Sequence, residues 1–193
     1  ATALRAFLRQ DPDVIMVGEM RDGETAKIGV QASLTGHLVV TTLHTNTAAA
    51  AVMRLADMGV EPYLLASTLR MIIGQRLVRL LCPECRTTET IDAAALAREP
   101  RWVALGLRAG DGVGRPVGCP HCGGSGYRGR IAVFEVMEVS EPIRRMVTRG
   151  TGDGEIEAQA EREGMATMIA DGLAKCRAGL TSIDEILRVT ASR

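Results

Sequence analysis

The chain is nearly without lysine. Lys27 and Lys175 are the only two, and arginine supplies the rest of its 23 basic residues. Each lysine follows an alanine, so the Gly-Lys-Ser/Thr ending of a phosphate-binding loop occurs nowhere in the 193 residues. An arginine is no substitute, because the glycine-rich backbone cradle is missing too. Aromatic residues are also scarce, at 3 %, which leaves Leu, Val, Ile, Ala and Met to build a core. No apolar run approaches the length of a membrane-crossing helix; residues 14–17 and 38–40 are far too short. No secretory signal opens the chain. Acidic residues number 23 as well, for a net charge of zero, without the basic excess of a dedicated nucleic-acid binder. The chain begins at Ala1, inside a helical pattern and with no initiator Met, and is read as a fragment.

What is present alternates between strand and helix. A helical stretch from Thr2 to Arg9 stops at Asp11-Pro12. Asp13 to Val17 is a continuous apolar run of strand length, as expected for a strand buried on both faces. Asp22 is placed to cap a helix running to about Leu34, with Gly36 ending it. His37 to Thr42 reads as a second buried strand, and Ala48 to Met58 as a helix closed by Gly59. This alternation implies an α/β layer with a mainly parallel sheet. Residues 61–81 carry apolar positions at helical spacing (Leu64, Leu65, Leu69, Ile72, Ile73, Leu77, Leu80). Residues 82–130 are glycine-rich, with a middle, 87–115, that must loop out. A short strand over 131–137 precedes three or four short helices. Thr181 or Ser182 followed by Glu185 matches a capping box for the last of them.

Three groups of residues carry chemistry. Glu19 lies just beyond the apolar run 13–17, at the strand edge where open α/β sheets bind ligands. A carboxylate there can hold magnesium beside nucleotide phosphates, although an exposed loop acid is the commoner reason for such a residue. Arg21 and Asp22 follow, as a local ion pair or a cap. Thr42, His44 and Asn46 exit the next strand at the same edge, where hydroxyl, imidazole and amide groups suit a γ-phosphate or a water. A histidine bonded inside the sheet is the plain alternative for His44, and more so for His37. The third group is Cys82-Pro-Glu-Cys85 with Cys119-Pro-His-Cys122. Two C-x-x-C pairs supply four thiolates suited to tetrahedral zinc. With every position filled by protein, the site is structural. A reduced four-thiol site or disulfides are the alternatives, and His121 could replace one cysteine. Arg79, Arg86 and Arg128 are close enough in sequence to offset the thiolate charge. Gly123, Gly124 and Gly126 allow backbone amides to approach the sulfurs. Cys176 reads as a small buried apolar residue.

These stretches together resemble the secretion superfamily of traffic ATPases, found in type II secretion and type IV pilus assembly. Leu8 to Asp22, with Glu24 to Ala26, resembles the family's Walker B region, and Thr35 to Asn46 its histidine box. Gln75 to Arg79 with the two cysteine pairs resembles its tetracysteine region. Residues 126–130 and 181–190 resemble its C-terminal part. Residues 87–118 match least. Asn46 to Ala48 and Met58 to Ser67 look more like the type II secretion member than the pilus assembly member, and the cysteines are unlike the pilus retraction enzyme.

The resemblance implies a partial RecA-like core over 1–81, a zinc lobe over 82–130, and a strand with a helical subdomain over 131–193. It implies a cytoplasmic homohexamer, peripheral to the inner membrane through platform partners, that hydrolyses Mg²⁺–ATP to drive pseudopilus assembly and export proteins. Carried over by motif, Glu19 is the Walker B acid. Arg21, His37 and Thr42 belong to the nucleotide site, and His44 is placed for γ-phosphate sensing. Cys82, Cys85, Cys119 and Cys122 hold Zn²⁺. The family's Walker A loop, acidic box and arginine fingers have no counterpart here, so the fragment is expected to be inactive alone. A zinc-dependent interaction module without ATPase activity is the alternative reading, and a naturally loop-less subunit a third.

Overall fold

The computed structural model describes residues 1–190 and is an α/β structure built as two compact units, each assembled from two separate stretches of chain. Among the described residues, the first comprises 1–74 and 136–165; the second comprises 75–135 and 166–190. The chain crosses between the units three times: inside the strands Met71–Leu81 and Tyr127–Glu138, and at 165–166 in the loop between two helices.

The first unit opens with α1 (Thr2–Leu8), β1 (Val14–Val17), α2 (Gly23–Leu34) and β2 (Leu38–Thr41). β1 and β2 pair in parallel, with Val14 opposite Leu38 and Val17 opposite Thr41. α3 (Ala48–Asp57) and α4 (Pro62–Thr68) follow, and after a second passage of chain the unit is completed by α7 (Glu141–Thr148) and α8 (Asp153–Arg162). Local chemistry sets the helix starts. Asp22 accepts from the Thr25 amide, Thr47 from Ala50 and Ser140 from Ile143. Each such cap is worth about 1 kcal/mol. Ala26, Val52, Leu55, Leu65, Ile143 and Ile156 form the centre of its main core. A smaller cluster of Leu4, Ile15, Ile28 and Ala32 packs one side of β1.

The other side of β1 and β2 is not packed. Val14, Met16, Leu38 and Val40 are exposed, Met16 by 77 %. The continuous apolar run led to an expectation of burial on both faces. α1 and α2 cover one face only, so the two strands follow the alternation of a half-covered sheet.

The 61–81 stretch is also not helical throughout. α4 ends at Thr68, Leu69 turns to extended backbone (φ −65°, ψ 131°), and Met71–Leu81 is a strand, β3. Its side chains alternate, Met71, Ile73 and Leu77 outward and Val78 buried. Gly74 is a poor helix former, and the apolar residues lie on both faces of the strand, Ile72 and Leu80 inward and Ile73 and Leu77 outward, so no alternation marks it in the sequence.

The second unit continues β3 into β4 (Thr87–Thr90), α5 (Ala93–Arg98), α6 (Pro100–Ala104), β5 (Gly112–Arg115), a 3-10 turn (Pro120–Cys122) and β6 (Tyr127–Glu138), then α9 (Met168–Arg177) and α10 (Ile183–Thr190). β6 pairs with β3, and β4 pairs antiparallel with β5. The middle of the lobe, expected to loop out, is folded. Ile91, Leu107 and Val113 are buried with Val133, Leu173, Cys176 and Ile186. Burial drives the Cys176 thiol up to about 12, as a small apolar core residue.

The capping box before α10 forms only in part. Ser182 Oγ accepts from the Glu185 amide, but the Glu185 carboxylate is drawn elsewhere: it accepts from the Arg79 amide (2.8 Å) and guanidinium and from Arg188. It is 1 % exposed. Burial raises its pKa, yet the bonds from Arg188 and Arg79 outweigh burial and hold it down at about 2.

Candidate functional site

The parallel pair brings two exits to one edge. β1 ends at Val17 and β2 at Thr41, register partners, so the chain emerges from both strands side by side. Two contacts join the exits: the Thr42 hydroxyl donates to the Gly18 carbonyl (2.6 Å), and the Met20 amide donates to the Thr42 carbonyl (3.2 Å). Glu19 stands between those two anchor points. One of its oxygens lies 3.0 Å from His44 Nε2, and the other accepts from Arg21 Nε at 2.6 Å. The Glu19 side chain is 21 % exposed, whereas His44 is 85 % exposed, its ring open to solvent. A carboxylate flanked by an imidazole and a guanidinium at the carboxyl ends of parallel strands is chemically suited to a cation–phosphate ligand.

Arg21 and Asp22 do not pair with each other. Asp22 caps α2, and the amide and hydroxyl of Thr25 hold its carboxyl below its ordinary value.

His37 is not brought to this edge. It precedes β2 at the opposite end, where the Leu38 amide donates to the Asp13 carbonyl. Its Nδ1 lies 2.9 Å from the Ala32 carbonyl and 3.1 Å from the Thr35 hydroxyl, at the C-terminal end of α2. About 13 Å of strand separates it from the Glu19 edge.

The four cysteines converge in the second unit, although 33 residues separate the pairs. Their sulfur atoms all lie within 4.8 Å of one another. Cys82 to Cys119 and Cys85 to Cys122 are 3.9 Å apart, and Cys119 to Cys122 is 3.8 Å. Four sulfurs about 2.3 Å from one tetrahedral ion are about 3.8 Å apart, so the donor set fits zinc. Disulfides would bring sulfurs to about 2.05 Å; all five cysteines are free.

The arginines expected to balance thiolate charge bond to other groups. Arg79 is taken by Glu185 and lies over the Tyr127 ring, Arg86 donates to the Gly179 carbonyl, and Arg128 faces His121. With its Nε2 turned to Arg128, His121 is not among the convergent donors. Backbone amides serve the sulfurs instead. Gly118 donates to Cys85 at 3.3 Å, while Cys119 and Gly126 donate to Cys122, each at 3.2 Å. Gly118 and Gly126 both have positive φ, 109° and 75°, which glycine adopts without penalty. The Cys119 amide leads in lowering Cys122 to about 6, against burial, whereas burial raises Cys85 to about 11. Gly118 escaped the sequence reading; its only signal is its place immediately before the second cysteine pair.

The family model described as "Type II/IV secretion system protein" matches residues 1–188. Among curated relatives, the type II secretion system protein E of Pectobacterium carotovorum is 48 % identical over 190 residues, covering 98 % of this chain and 37 % of the relative. The type IV pilus assembly ATPase PilB of Thermus thermophilus is 47 % identical over 194 residues, 98 % of this chain and 21 % of the relative. The chain thus spans well under half the length of these relatives. Among solved structures, the pilus retraction motor PilT with bound ADP superposes with a TM-score of 0.66 at 27 % identity, over 98 % of this chain and 43 % of that one. The Legionella pneumophila ATPase DotB, at 24 % identity and a TM-score of 0.62 over 98 % of this chain and 42 % of that one, shares the fold. On this match the chain belongs to the Type II/IV secretion system protein family.

Proposed function

We propose that this chain is part of an ATPase that powers protein export through a type II secretion system by driving pseudopilus assembly. In this reading it works as a homohexamer in the cytoplasm, held at the inner membrane through platform proteins, with no nucleic-acid partner. The observation that carries it is Glu19, set 3.0 Å from His44 and 2.6 Å from Arg21 at the carboxyl edge of the parallel pair, in a member of this family. Glu19 would hold Mg²⁺ at bound ATP, where the ion screens phosphate charge. His44 would face the γ-phosphate, with Arg21 and Thr42 at the same edge; His37, assigned to the nucleotide site by motif, stands at the opposite end of β2 and is left out of it.

Residues 1–81 form part of the RecA-like core in this proposal, 82–130 the zinc lobe, and 131–193 the C-terminal subdomain. Cys82, Cys85, Cys119 and Cys122 hold one Zn²⁺ with no open position, which makes it structural. A pilus assembly ATPase is the second reading, favoured by PilB relatives at 47 % and 45 % identity.

The test is ATP hydrolysis by the full-length protein. Glu19→Gln, which keeps the shape and removes the charge, is expected to lower turnover by about a hundredfold or more. Wild-type turnover in a folded Glu19→Gln protein would overturn the assignment.

A further inference from the structure

We propose that Thr42 is a positioning residue for Glu19 rather than a contact for the nucleotide; this rests on the site reading above.

Glu19 is held from both sides. On its C-terminal side Met20 is buried in the main core, its methyl group against Gly29, and its amide donates to the Thr42 carbonyl. On its N-terminal side Gly18 is exposed, and a Cβ built there would meet nothing within 4 Å. Packing therefore cannot locate that peptide. The Thr42 hydroxyl does, by donating to the Gly18 carbonyl at 2.6 Å. One residue thus ties the peptides on both sides of Glu19, once through its carbonyl and once through its side chain.

Proton inventory separates positioning from phosphate binding. A threonine hydroxyl has one proton to donate. Here that proton goes to Gly18, so the oxygen offers solvent only lone pairs, which phosphate oxygens avoid. The clamp also sets the Glu19–His44 pair, because Thr42 and His44 leave β2 two residues apart. Pinning residue 42 to residues 18 and 20 fixes the carboxylate against the imidazole at 3.0 Å. Small misplacements of a reacting group are costly, about a hundredfold per ångström in unfavourable cases.

The test uses the full-length protein with Thr42→Val, Thr42→Ala and Thr42→Ser. Val and Ala remove the proton; Ser keeps it. Turnover of ATP should fall about tenfold in the first two, with KM for ATP within about twofold of wild type, and Ser should restore it. Hydrogen exchange at the Met20 amide should quicken in Val and Ala but not in Ser, while the amides of Ala26 and Val30 in α2 stay protected. Wild-type turnover in Thr42→Ala, a raised KM with unchanged turnover, or a Ser variant as impaired as Ala would each overturn the proposal. Glu19→Gln in parallel separates the two claims. Loss there with full activity in Thr42→Ala rejects only the clamp; full activity in Glu19→Gln rejects the site and the clamp with it.

Discussion

The Glu19 edge and the four-cysteine cluster are built in opposite ways. The cluster collects all its donors inside one compact unit, Cys82 is buried, and three backbone amides converge on its sulfurs. The Glu19 edge places a carboxylate, a guanidinium and an exposed imidazole at the end of two four-residue strands, whose second face is left open at Val14, Met16, Leu38 and Val40. The first is a closed coordination site, complete in its ligands. The second is an open set of charges that can contribute to a ligand but cannot enclose one. In the proposed reading the metal site serves the fold, and the strand edge contributes to chemistry completed by other groups.

The largest expected effect is on the closed site. Cys82→Ser should reduce bound zinc from about one per chain to near zero and abolish cooperative unfolding of the second unit. Structural zinc is worth about 10–16 kcal/mol in small domains, comparable with total domain stability. Metal analysis and thermal unfolding read this out, and unchanged zinc content would break the comparison.

A smaller effect belongs to Glu185, which ties β3 to α10 within the same unit without metal. Glu185→Gln should cost about 2 kcal/mol by leaving Arg79 and Arg188 without their shared carboxylate; both arginines are half exposed, so this lies below the range for a fully buried pair. The folded carboxyl, at about 2, lies below the ordinary value of 4.5. Its contribution is therefore fully present above the ordinary value and is lost as pH falls from there towards 2. Denaturant unfolding at both ends of that window should show wild type losing stability and Glu185→Gln losing less.

Legibility in the sequence tracked how local the determinant was. Asp22 as a cap, Gly36 as a stop and the α/β alternation of the first sixty residues are set by neighbours, and all three stand in the structure. The cysteines were legible as a metal donor set because C-x-x-C spacing alone brings two sulfurs together. What packs over long separations was not legible. β3 was hidden because its apolar residues occupy both faces, Ile72, Val78 and Leu80 inward and Met71, Ile73 and Leu77 outward, so the sequence shows no alternation. The fold of 87–115 depends on Leu173, Cys176 and Ile186, some eighty residues away. Arg79 was assigned to the thiolates by sequence proximity, when the stronger attraction was the buried carboxylate of Glu185, 106 residues on. At the strand edge, Glu19 and His44 were both named beforehand, but nothing in the residue order revealed that Thr42 donates its proton to Gly18.

Native mass spectrometry of the 193-residue chain in the presence of Mg²⁺–ATP tests the central contrast most directly, because one spectrum reports both metal and nucleotide. The account predicts a single species carrying one zinc and no nucleotide at micromolar ATP. A metal-free folded chain, or a chain that retains ATP at micromolar concentration, would contradict it.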